Sequence, residues 1–440
     1  MNIYALSSGR GPSGIAIIRL SGKDTLKIVE HICKKKKLIP RATNLCKFYD
    51  PINNSLIDKG LLLLFPGPDS YTGDDMAEFH IHGSNAVIEC FLKILSKQKN
   101  TRLAEPGEFT KIAFQNNKID LIEAESIGDL IHAETELQRQ QAIKLVQGSA
   151  SNYYNGLREK LIKSLAYIEA KIDFAEDDLP ASVLKQVQKS IKDIHSDIKK
   201  ILENNKVGEK IRDGFKVSII GDVNAGKSSL LNLLSKRDVA IVSEEEGTTR
   251  DVIETYLNID GYPVILADTA GIRASRNEVE KKGISLAISK SRESDLNIIM
   301  IDNSSKLINK KIQNLINEDS IVVLNKSDID SNLNHNFKES ILVSIKNNQN
   351  IDQLINRIKT KLSKKFITSY DVLITRERHR QKLTACLKEI DSFLKKDQKN
   401  DIEIGAEDLR LATRHLGSVV GKVDVEEVLG SIFKNFCIGK

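Results

Sequence analysis

A glycine-rich turn between an apolar run and a leucine-rich segment constrains the fold of this chain most strongly. Residues 221–228 read Gly-Asp-Val-Asn-Ala-Gly-Lys-Ser, after the largely apolar residues 215–220 and before the leucine-rich residues 229–234. This order of strand, turn and helix start is the context that a phosphate-binding P-loop requires. In such a loop Lys227 reaches the β and γ oxygens, and the Ser228 hydroxyl can bind Mg²⁺. The segment predicts a nucleotide-binding α/β domain.

Two segments further along supply the metal side of such a site. Residues 247–251 read Gly-Thr-Thr-Arg-Asp, in which Thr249 provides a second hydroxyl for Mg²⁺. Residues 268–271 read Asp-Thr-Ala-Gly and follow the strand-like residues 262–267. The second segment is expected to place a carboxylate near the metal and a glycine N–H near the γ-phosphate.

A fourth segment predicts which base is bound. Residues 325–328 read Asn-Lys-Ser-Asp and end the apolar run 321–324. The carboxylate of Asp328 can accept hydrogen bonds from the ring N–H and the exocyclic amine of guanine. Adenine lacks this pair of donors, so we predict GTP. The P-loop and these later segments follow predicted strands, where nucleotide sites of open α/β sheets lie.

Composition favours a multidomain protein and permits an RNA partner. A chain of 440 residues predicts two to four domains. The net charge of +6 and the pI near 8.8 are a mild basic excess, which allows RNA binding without requiring it. The densest basic segment is the run Lys34–Lys37. We interpret this run as a solvated loop after a helix, with an RNA contact as the alternative.

Cysteine spacing and hydropathy predict the compartment. The five cysteines form no C-x-x-C pair, which argues against a zinc site and a disulfide framework and favours a reducing compartment. The first residues show no charged segment followed by an apolar core. The longest apolar run, residues 61–65, is too short to cross a bilayer. We therefore expect a cytoplasmic protein with no membrane contact.

The pattern of apolar residues changes three times along the chain. Residues 1–117 alternate strand-like and helical stretches, which predicts a small α+β domain. Residues 118–210 show long helical periodicity, residues 211–364 hold the nucleotide motifs, and residues 365–440 are helical again. We predict that the nucleotide domain is inserted into one helical bundle formed by 118–210 and 365–440.

Several motifs across the whole chain resemble the MnmE (TrmE) family of tRNA-modifying GTPases. They lie at residues 9–22, 71–78, 105–110, 224–229 and 437–440, the last reading Cys-Ile-Gly-Lys. The resemblance implies an N-terminal folate-binding domain, a helical bundle and an inserted Ras-like P-loop GTPase domain. It also implies a homodimer formed through the N-terminal domain, and a complex with the flavoprotein MnmG (GidA), which would carry the FAD.

The chemistry implied by this resemblance is modification of C5 of the wobble uridine in certain tRNAs. GTP hydrolysis and a folate one-carbon unit, from 5-formyl- or 5,10-methylene-tetrahydrofolate, would yield aminomethyl or carboxymethylaminomethyl products. A ribosome-assembly GTPase is the alternative, but residues after 365 show no basic RNA-binding module with a G-x-x-G loop. A membrane GTPase is a third possibility, for which a lipid-facing segment is missing.

The residue that orients the attacking water differs from that of many small GTPases. Ile272 follows the Asp-Thr-Ala-Gly segment where those proteins carry glutamine, and isoleucine cannot hydrogen-bond water. Glu280 matches the catalytic glutamate of the family, and Glu278 is the alternative carboxylate. The position of Glu280 in the sequence, taken alone, predicts a solvated helix residue.

A potassium ion is expected where other GTPases use an arginine finger. No such arginine is evident, yet charge between the β- and γ-phosphates must be neutralised. The side-chain carbonyl of Asn224 can bind a monovalent cation there. The resemblance implies K⁺, completed by the loop 243–248 when two GTPase domains associate. The predicted K⁺ ligands are Asn224, Ser243, Glu245 and Thr248, and the predicted Mg²⁺ ligands are Ser228 and Thr249.

The motifs and the resemblance together assign the nucleotide contacts. They are Asn224, Ala225, Gly226, Lys227, Ser228, Ser229, Ser243, Glu244, Glu245, Glu246, Gly247, Thr248, Asp268, Thr269, Ala270, Gly271, Asn325, Lys326, Ser327, Asp328, Ser344, Ile345 and Lys346. The last three stand where the family has Ser-Ala-Lys. The backbone N–H that contacts the guanine carbonyl is independent of the side chain, but isoleucine needs more space than alanine.

The folate contacts are implied by the resemblance alone. They are Arg19, Glu78, Lys118 and Lys440. A pterin ring presents donors that a carboxylate such as Glu78 can accept, and cationic side chains can face the anionic glutamate tail of the folate. Surface ion pairs are the alternative reading. The resemblance also implies a role in modification for Cys437, which would otherwise be a packed small hydrophobe. His80 and His82 alternate on a strand and are interpreted as structural.

Overall fold

The structure, a computed structural model, forms two compact units. It describes residues 1–9, 11–173, 181–203, 206–236, 240–241, 254–267, 289, 291–305, 308–330, 337, 339–366, 372–396, 401–423, 429, 432–433, 436–437 and 439. The first unit comprises Met1–Gly128, Val146–Ile162 and Thr413–Lys440, and the second comprises Asp129–Leu145 and Lys163–Ala412. The residues predicted to form one helical domain, 118–210 and 365–440, are divided between these two units. The single helical domain therefore stays a prediction.

The first unit is built on a six-stranded sheet. Its strands are β1 Asn2–Leu6, β2 Ser13–Ser21, β3 Asn44–Tyr49, β4 Leu56–Phe65, β5 Met76–Gly83 and β6 Thr101–Leu103. Their order is β3-β4-β5-β2-β1-β6, and every pair is antiparallel except β1 with β6. The helices before residue 120 are α1 Thr25–Cys33, α2 Asn85–Ser96 and α3 Glu108–Gln115. This arrangement confirms the predicted α+β fold.

One face of this sheet is covered by α1 and α2. Alternate residues of β5, including Phe79 and Ile81, point into a buried cluster with residues of both helices. The rings of Phe48, Phe79 and Phe91 lie 4.9–5.6 Å apart, in edge-on or tilted contacts. Because strand side chains alternate, the polar residues of β5 lie on the other face, where Glu78 faces Arg19 of β2.

The second unit contains a seven-stranded sheet. Its strands are β7 Phe215–Gly221, β8 Ala240–Ile241, β9 Glu254–Ile259, β10 Tyr262–Ala267, β11 Leu296–Asp302, β12 Ser320–Asn325 and β13 Ile341–Val343. Their order is β13-β12-β11-β7-β10-β9-β8, parallel from β13 through β10 and antiparallel at β9 and β8. The carboxyl ends of the parallel strands therefore share one edge. This is the predicted Ras-like α/β domain.

Helices account for most of the remaining described residues. They are α4 Leu121–Ile131, α5 Glu136–Val146, α6 Ser149–Asp173, α7 Ala181–Glu203, α8 Val207–Asp213, α9 Lys227–Lys236, α10 Lys310–Gln313, α11 Ile351–Phe366, α12 Glu377–Lys395 and α13 Ile402–Val420. In α6, Leu157, Leu161 and Ile168 are buried and Leu165 is partly buried, as their spacing of four, four and three residues predicts. Among the residues that the structure describes, every helix is too short or too polar to span a bilayer.

Candidate functional site

The phosphate loop connects the end of β7 to the start of α9. Its backbone is left-handed at Asn224, with φ of 64°, and has φ of 100° at Gly226. The first turn of the helix is closed by a hydrogen bond of 2.9 Å from Leu230 N–H to the Gly226 carbonyl. The Lys227 ammonium donates to the carbonyls of Gly221 and Asp222, at 2.8 Å each. The lysine is thereby held over the loop, at the helix terminus where anions bind.

One buried amide joins this loop to the base-recognition segments. Asn325, the last residue of β12, is buried. Its Nδ2 donates to the Ala225 carbonyl over 2.8 Å, and its Oδ1 accepts from the backbone N–H of Ile345 over 3.3 Å. Gly226 leaves room for this contact, because a Cβ there would lie 2.3 Å from Nδ2 of Asn325. The phosphate loop and the base-supporting loop are therefore held together by a single side chain.

The predicted guanine-reading carboxylate is oriented by a neighbouring hydroxyl. Asp328 is exposed, and its Oδ1 accepts a hydrogen bond of 2.7 Å from Oγ of the buried Ser344. The Ser344 hydroxyl, followed by the Asp328 backbone N–H, holds the pKa of this carboxyl below its usual range. Asp328 therefore stays ionised and remains an acceptor for guanine at neutral pH. Sequence reasoning assigned Ser344 to the base loop but did not foresee this contact.

The isoleucine that replaces the family alanine has space. Ile345 is partly buried and packs against the core of the second unit. Its Cδ1 lies 3.4 Å from the position that a Cβ on Gly226 would take, so the side chain lies against the glycine of the phosphate loop. The backbone N–H of Ile345 is fixed by Asn325. The bulk of isoleucine is accommodated without displacing the loop.

The lysine of the Asn-Lys-Ser-Asp segment meets the end of β11. Lys326 has φ of 66°, and its Nζ lies 2.5 Å from Oδ2 of Asp302. Burial alone would raise the pKa of Asp302, but hydrogen bonds from Lys326 and Ser304 outweigh it and hold that pKa below its usual range. Four strand ends, those of β7, β11, β12 and β13, therefore carry the described part of the nucleotide site.

Many of the residues that the sequence analysis discusses for nucleotide, metal and folate binding and for catalysis lie outside the described residues. They are Ser243, Glu244, Glu245, Glu246, Gly247, Thr248, Thr249, Asp268, Thr269, Ala270, Gly271, Ile272, Glu278, Glu280 and Lys440. Of the predicted metal ligands, Asn224 and Ser228 are described, and both are exposed at the phosphate loop. Their roles, and those of the residues outside the described ranges, stay predictions.

A second polar cluster lies on the open face of the sheet in the first unit. Arg19 and Glu78 face each other across β2 and β5. Nε and Nη2 of the arginine donate to Oε1 of the glutamate, over 3.1 and 2.8 Å. Both side chains are only 15% exposed, and the guanidinium carbon lies 5.7 and 5.6 Å from the ring centroids of Tyr71 and Phe109. This is a half-desolvated ion pair in an aromatic setting, where polar contacts are stronger than in water.

The C-terminal tail binds to the same arginine. The Gly439 carbonyl accepts hydrogen bonds from Nη1 of Arg19 at 3.2 Å and from Oγ of Ser7 at 2.9 Å. Gly439 is buried with φ of 99°, and a Cβ there would lie 2.3 Å from the Leu6 carbonyl oxygen. Only glycine fits this position, because other residues would be both strained and too large. The preceding Phe433 and Phe436 pack with Ala124, which anchors the tail.

Three other residues that the sequence analysis discusses, Lys118, Cys437 and His82, are exposed. Lys118 is exposed, with its Cε 3.3 Å from the position of a Cβ on Gly73. Cys437 is exposed, so the packed-hydrophobe alternative is wrong and its chemical role stays a prediction. His82 pairs with Asp58 over 2.8 Å, as a structural residue would.

The structure reveals one polar residue that sequence reasoning did not assign to this cluster. Nε2 of His80 is buried and has no hydrogen-bond partner among the residues that the structure describes. It lies 3.8 Å from Oε2 of Glu78, the oxygen that Arg19 does not bind. A buried polar atom without a partner is costly unless a ligand or water satisfies it. The available signal was the alternation along β5, which puts His80 two residues from Glu78 on one face.

The fold and the nucleotide site define a P-loop protein that binds guanine nucleotides. Two family models cover nearly the whole chain: "GTP-binding protein TrmE N-terminus" matches residues 2–118, and "MnmE helical domain" matches residues 121–437. The tRNA modification GTPase MnmE of Pelagibacter ubique is 58% identical over 443 residues, covering 100% of both chains. That of Rickettsia bellii (strain RML369-C) is 43% identical over 445 residues, covering 100% of this chain and 99% of its own. The chain belongs to the MnmE (TrmE) family of tRNA modification GTPases.

Replacing Gly226 by alanine is expected to weaken GTP binding by about 10- to 100-fold, because it adds backbone strain and forces Asn325 from the loop. Titration of a non-hydrolysable GTP analogue measures the effect. Gly156→Ala is the matched control, since a Cβ on Gly156 in α6 meets nothing within 4 Å. Equal affinities of the Gly226 variant and the wild-type protein would contradict the assigned role of the Asn325 contact.

Proposed function

We propose that this chain hydrolyses GTP in order to modify C5 of the wobble uridine of certain tRNAs, together with the flavoprotein MnmG (GidA). The observation that carries the GTP part is the base-reading carboxylate of Asp328, held by Ser344 beside a phosphate loop that Asn325 fixes. The relatives named tRNA modification GTPase support tRNA as the substrate. The products would be aminomethyl or carboxymethylaminomethyl groups on the base.

The residues of the phosphate loop fit Mg²⁺ and a triphosphate. Ser228 is exposed in the first turn of α9, and its hydroxyl oxygen is the type of ligand that a hard cation takes. Together with Thr249 it would hold Mg²⁺, which neutralises charge on the β and γ oxygens when bound. Lys227 and the N-terminus of α9 stabilise the same charge from the protein side. Glu280 is proposed to orient the attacking water.

Asn224 supports the proposed potassium site. It is exposed in the phosphate loop, and its left-handed backbone marks the tight turn of that loop. Asn224 would bind K⁺ through its side-chain carbonyl oxygen, and Ser243, Glu245 and Thr248 would supply further oxygens. The charge of K⁺ would replace that of an arginine finger. The loop 243–248, which contains these further ligands, would complete the potassium site when two GTPase domains of a homodimer associate.

GTP hydrolysis is expected to require K⁺, because an ion with a different radius does not fit the same oxygens. Turnover measured in KCl and in NaCl of equal ionic strength tests this. Asn224→Ala should lose the stimulation by K⁺ while keeping the low rate seen in NaCl. Equal wild-type rates in the two salts would rule out the potassium site.

The cluster on the first unit supports a folate site. Nε and Nη2 of Arg19 donate to Glu78, and Nη1 donates to the carbonyl of Gly439 in the tail. Oε2 of Glu78 and Nε2 of His80 lie 3.8 Å apart. A pterin offers donors to such a carboxylate. Lys118 and Lys440 would attract the anionic tail of 5-formyl- or 5,10-methylene-tetrahydrofolate. Cys437 is proposed to act in the modification itself, and FAD belongs to the partner flavoprotein only.

Glu78→Gln is expected to weaken tetrahydrofolate binding by at least about tenfold, since a charge-assisted hydrogen bond of 1.5–3 kcal/mol is lost. GTP affinity should not change. In an assay reconstituted with the flavoprotein and tRNA, mass spectrometry of the wobble nucleoside should show less C5 product. Glu159→Gln, an exposed carboxylate on α6, is the control.

Unchanged folate titrations of the Glu78 variant would refute the folate site. Wild-type protein that binds folate but yields no C5 product would instead refute the modification. An accumulation of ribosomal subunits in cells without the gene, with normal wobble nucleosides, would favour the ribosome-assembly alternative.

A further inference from the structure

Two short segments of the first unit have a net positive charge equal to that of the whole chain. Residues 23–37 and 89–99 contain nine lysines and three carboxylates, which leaves +6, equal to the net charge of all 440 residues. The lysines are Lys23, Lys27, Lys34, Lys35, Lys36, Lys37, Lys93, Lys97 and Lys99, and all nine are exposed. The rest of the chain is therefore neutral on balance. We call the surface formed by these lysines and His31 the α1–α2 basic surface.

The fold brings these charges onto one surface. Both α1 and α2 pack on β5 through buried residues such as Ile32 and Phe91, so their polar sides point away from the same face of the sheet. Lys27 and His31 are four residues apart on one side of α1, and Lys34 caps the end of that helix. Lys93 lies in the last turn of α2, and Lys97 caps the end of that helix.

A cavity of about 570 Å³ lies between the two helices and the turn that joins β3 to β4. Its lysines are Lys27, Lys97 and Lys99, it is also lined by the imidazole of His31, and its carboxylates are Asp24 and Asp50. Both carboxylates already accept hydrogen bonds, Asp24 from Nδ2 of Asn2 at 3.4 Å and Asp50 from the Ile52 N–H at 2.8 Å. The concave part of the surface therefore offers mostly cationic donors to a ligand.

Lys34, the first residue of the lysine run 34–37, contacts the turn that joins β3 to β4. Nζ of Lys34 donates to Oδ1 of Asn54 over 2.7 Å and lies 4.4 Å from the ring centroid of Tyr49. The Asn54 N–H in turn donates to the carbonyl of Asp50, a residue that lines the cavity. Lys34 therefore lies beside the turn that lines the cavity, and the other three lysines follow it in sequence.

Helix energetics do not account for this many lysines. A cation near a helix C-terminus is stabilising, but the effect is confined to the last turn. Nine exposed lysines on α1, α2 and the segments that flank them repel one another, which costs folding free energy. A second copy of the chain would meet the same charge, so this surface disfavours self-association. A polyanion bound to this surface would offset the repulsion between the lysines. Its binding would also be strengthened by the release of counterions.

We propose that the α1–α2 basic surface binds the phosphate backbone of the substrate tRNA. This inference rests on the proposed function, in which tRNA is the substrate. Lysines are point charges that bind phosphates without reading bases, so the contact positions the tRNA and does not select its sequence. Sequence alone favours the interpretation of Lys34–Lys37 as a solvated loop. In this proposal the same four lysines form one part of a larger binding surface.

The test compares two triple variants of the full chain. Lys27→Gln, Lys97→Gln and Lys99→Gln together remove charge from the cavity. The control combines Lys47→Gln, Lys59→Gln and Lys163→Gln, which are exposed lysines outside this surface, the first two paired across β3 and β4. Fluorescence anisotropy with an unmodified tRNA transcript gives the affinity at several salt concentrations. Equal melting temperatures of the two variants show that both are folded.

The cavity variant should bind the transcript at least about tenfold more weakly, with the slope of log affinity against log salt reduced by about two to three. The control should keep the wild-type slope. Wild-type slope and affinity in the cavity variant would overturn this inference while leaving the proposed function intact. So would capture of the wild-type protein by phosphatidylserine vesicles combined with unchanged tRNA binding by the cavity variant. A wild-type protein that binds no tRNA would overturn the proposed function together with this inference.

Discussion

The nucleotide site depends on a buried amide that closes a gap between two loops. In the sheet, β11 lies between β7 and β12, so the strands that carry the phosphate loop and the base-recognition segment are about 10 Å apart. The two loops must lean toward each other over the end of β11. Asn325 fixes this approach, because its amide is both a donor to Ala225 and an acceptor from Ile345. A carboxamide supplies a donor and an acceptor on two separate atoms without carrying charge.

The other contacts of the site refine this arrangement. Asp302 at the end of β11 holds the Lys326 ammonium, and Ser344 holds the Asp328 carboxylate. Each of these contacts fixes a charged group in one orientation before nucleotide binds. Preorganised charges of this kind bind ligand with less loss of conformational entropy. The first unit follows the same principle, since Arg19 is held by Glu78 and by the carbonyl of Gly439 in the tail.

Local sequence predicted the parts of the site that lie within a few residues of one another. The phosphate loop and the Asn-Lys-Ser-Asp segment were identified because their spacing is fixed by a strand end and a helix start. Contacts between distant residues were not predictable. Ser344 meets Asp328 across 16 residues, and Arg19 meets Gly439 across 420. Such contacts depend on strand order and on where the tail packs, which no local pattern encodes. The charge of Lys34–Lys37 was visible in sequence, but the approach of Lys97 and Lys99 to Lys27 around one cavity required the packing of α1 beside α2.

The affinity of an Asn325→Ala variant for GDP and for a non-hydrolysable GTP analogue tests the central role of this amide most directly. We expect a loss of about 100-fold for both nucleotides, because the carbonyl of Ala225 and the N–H of Ile345 each lose a partner. Asn347→Ala, which removes an exposed amide from the same loop, should bind like the wild-type protein. Wild-type affinity in the Asn325 variant would contradict the account.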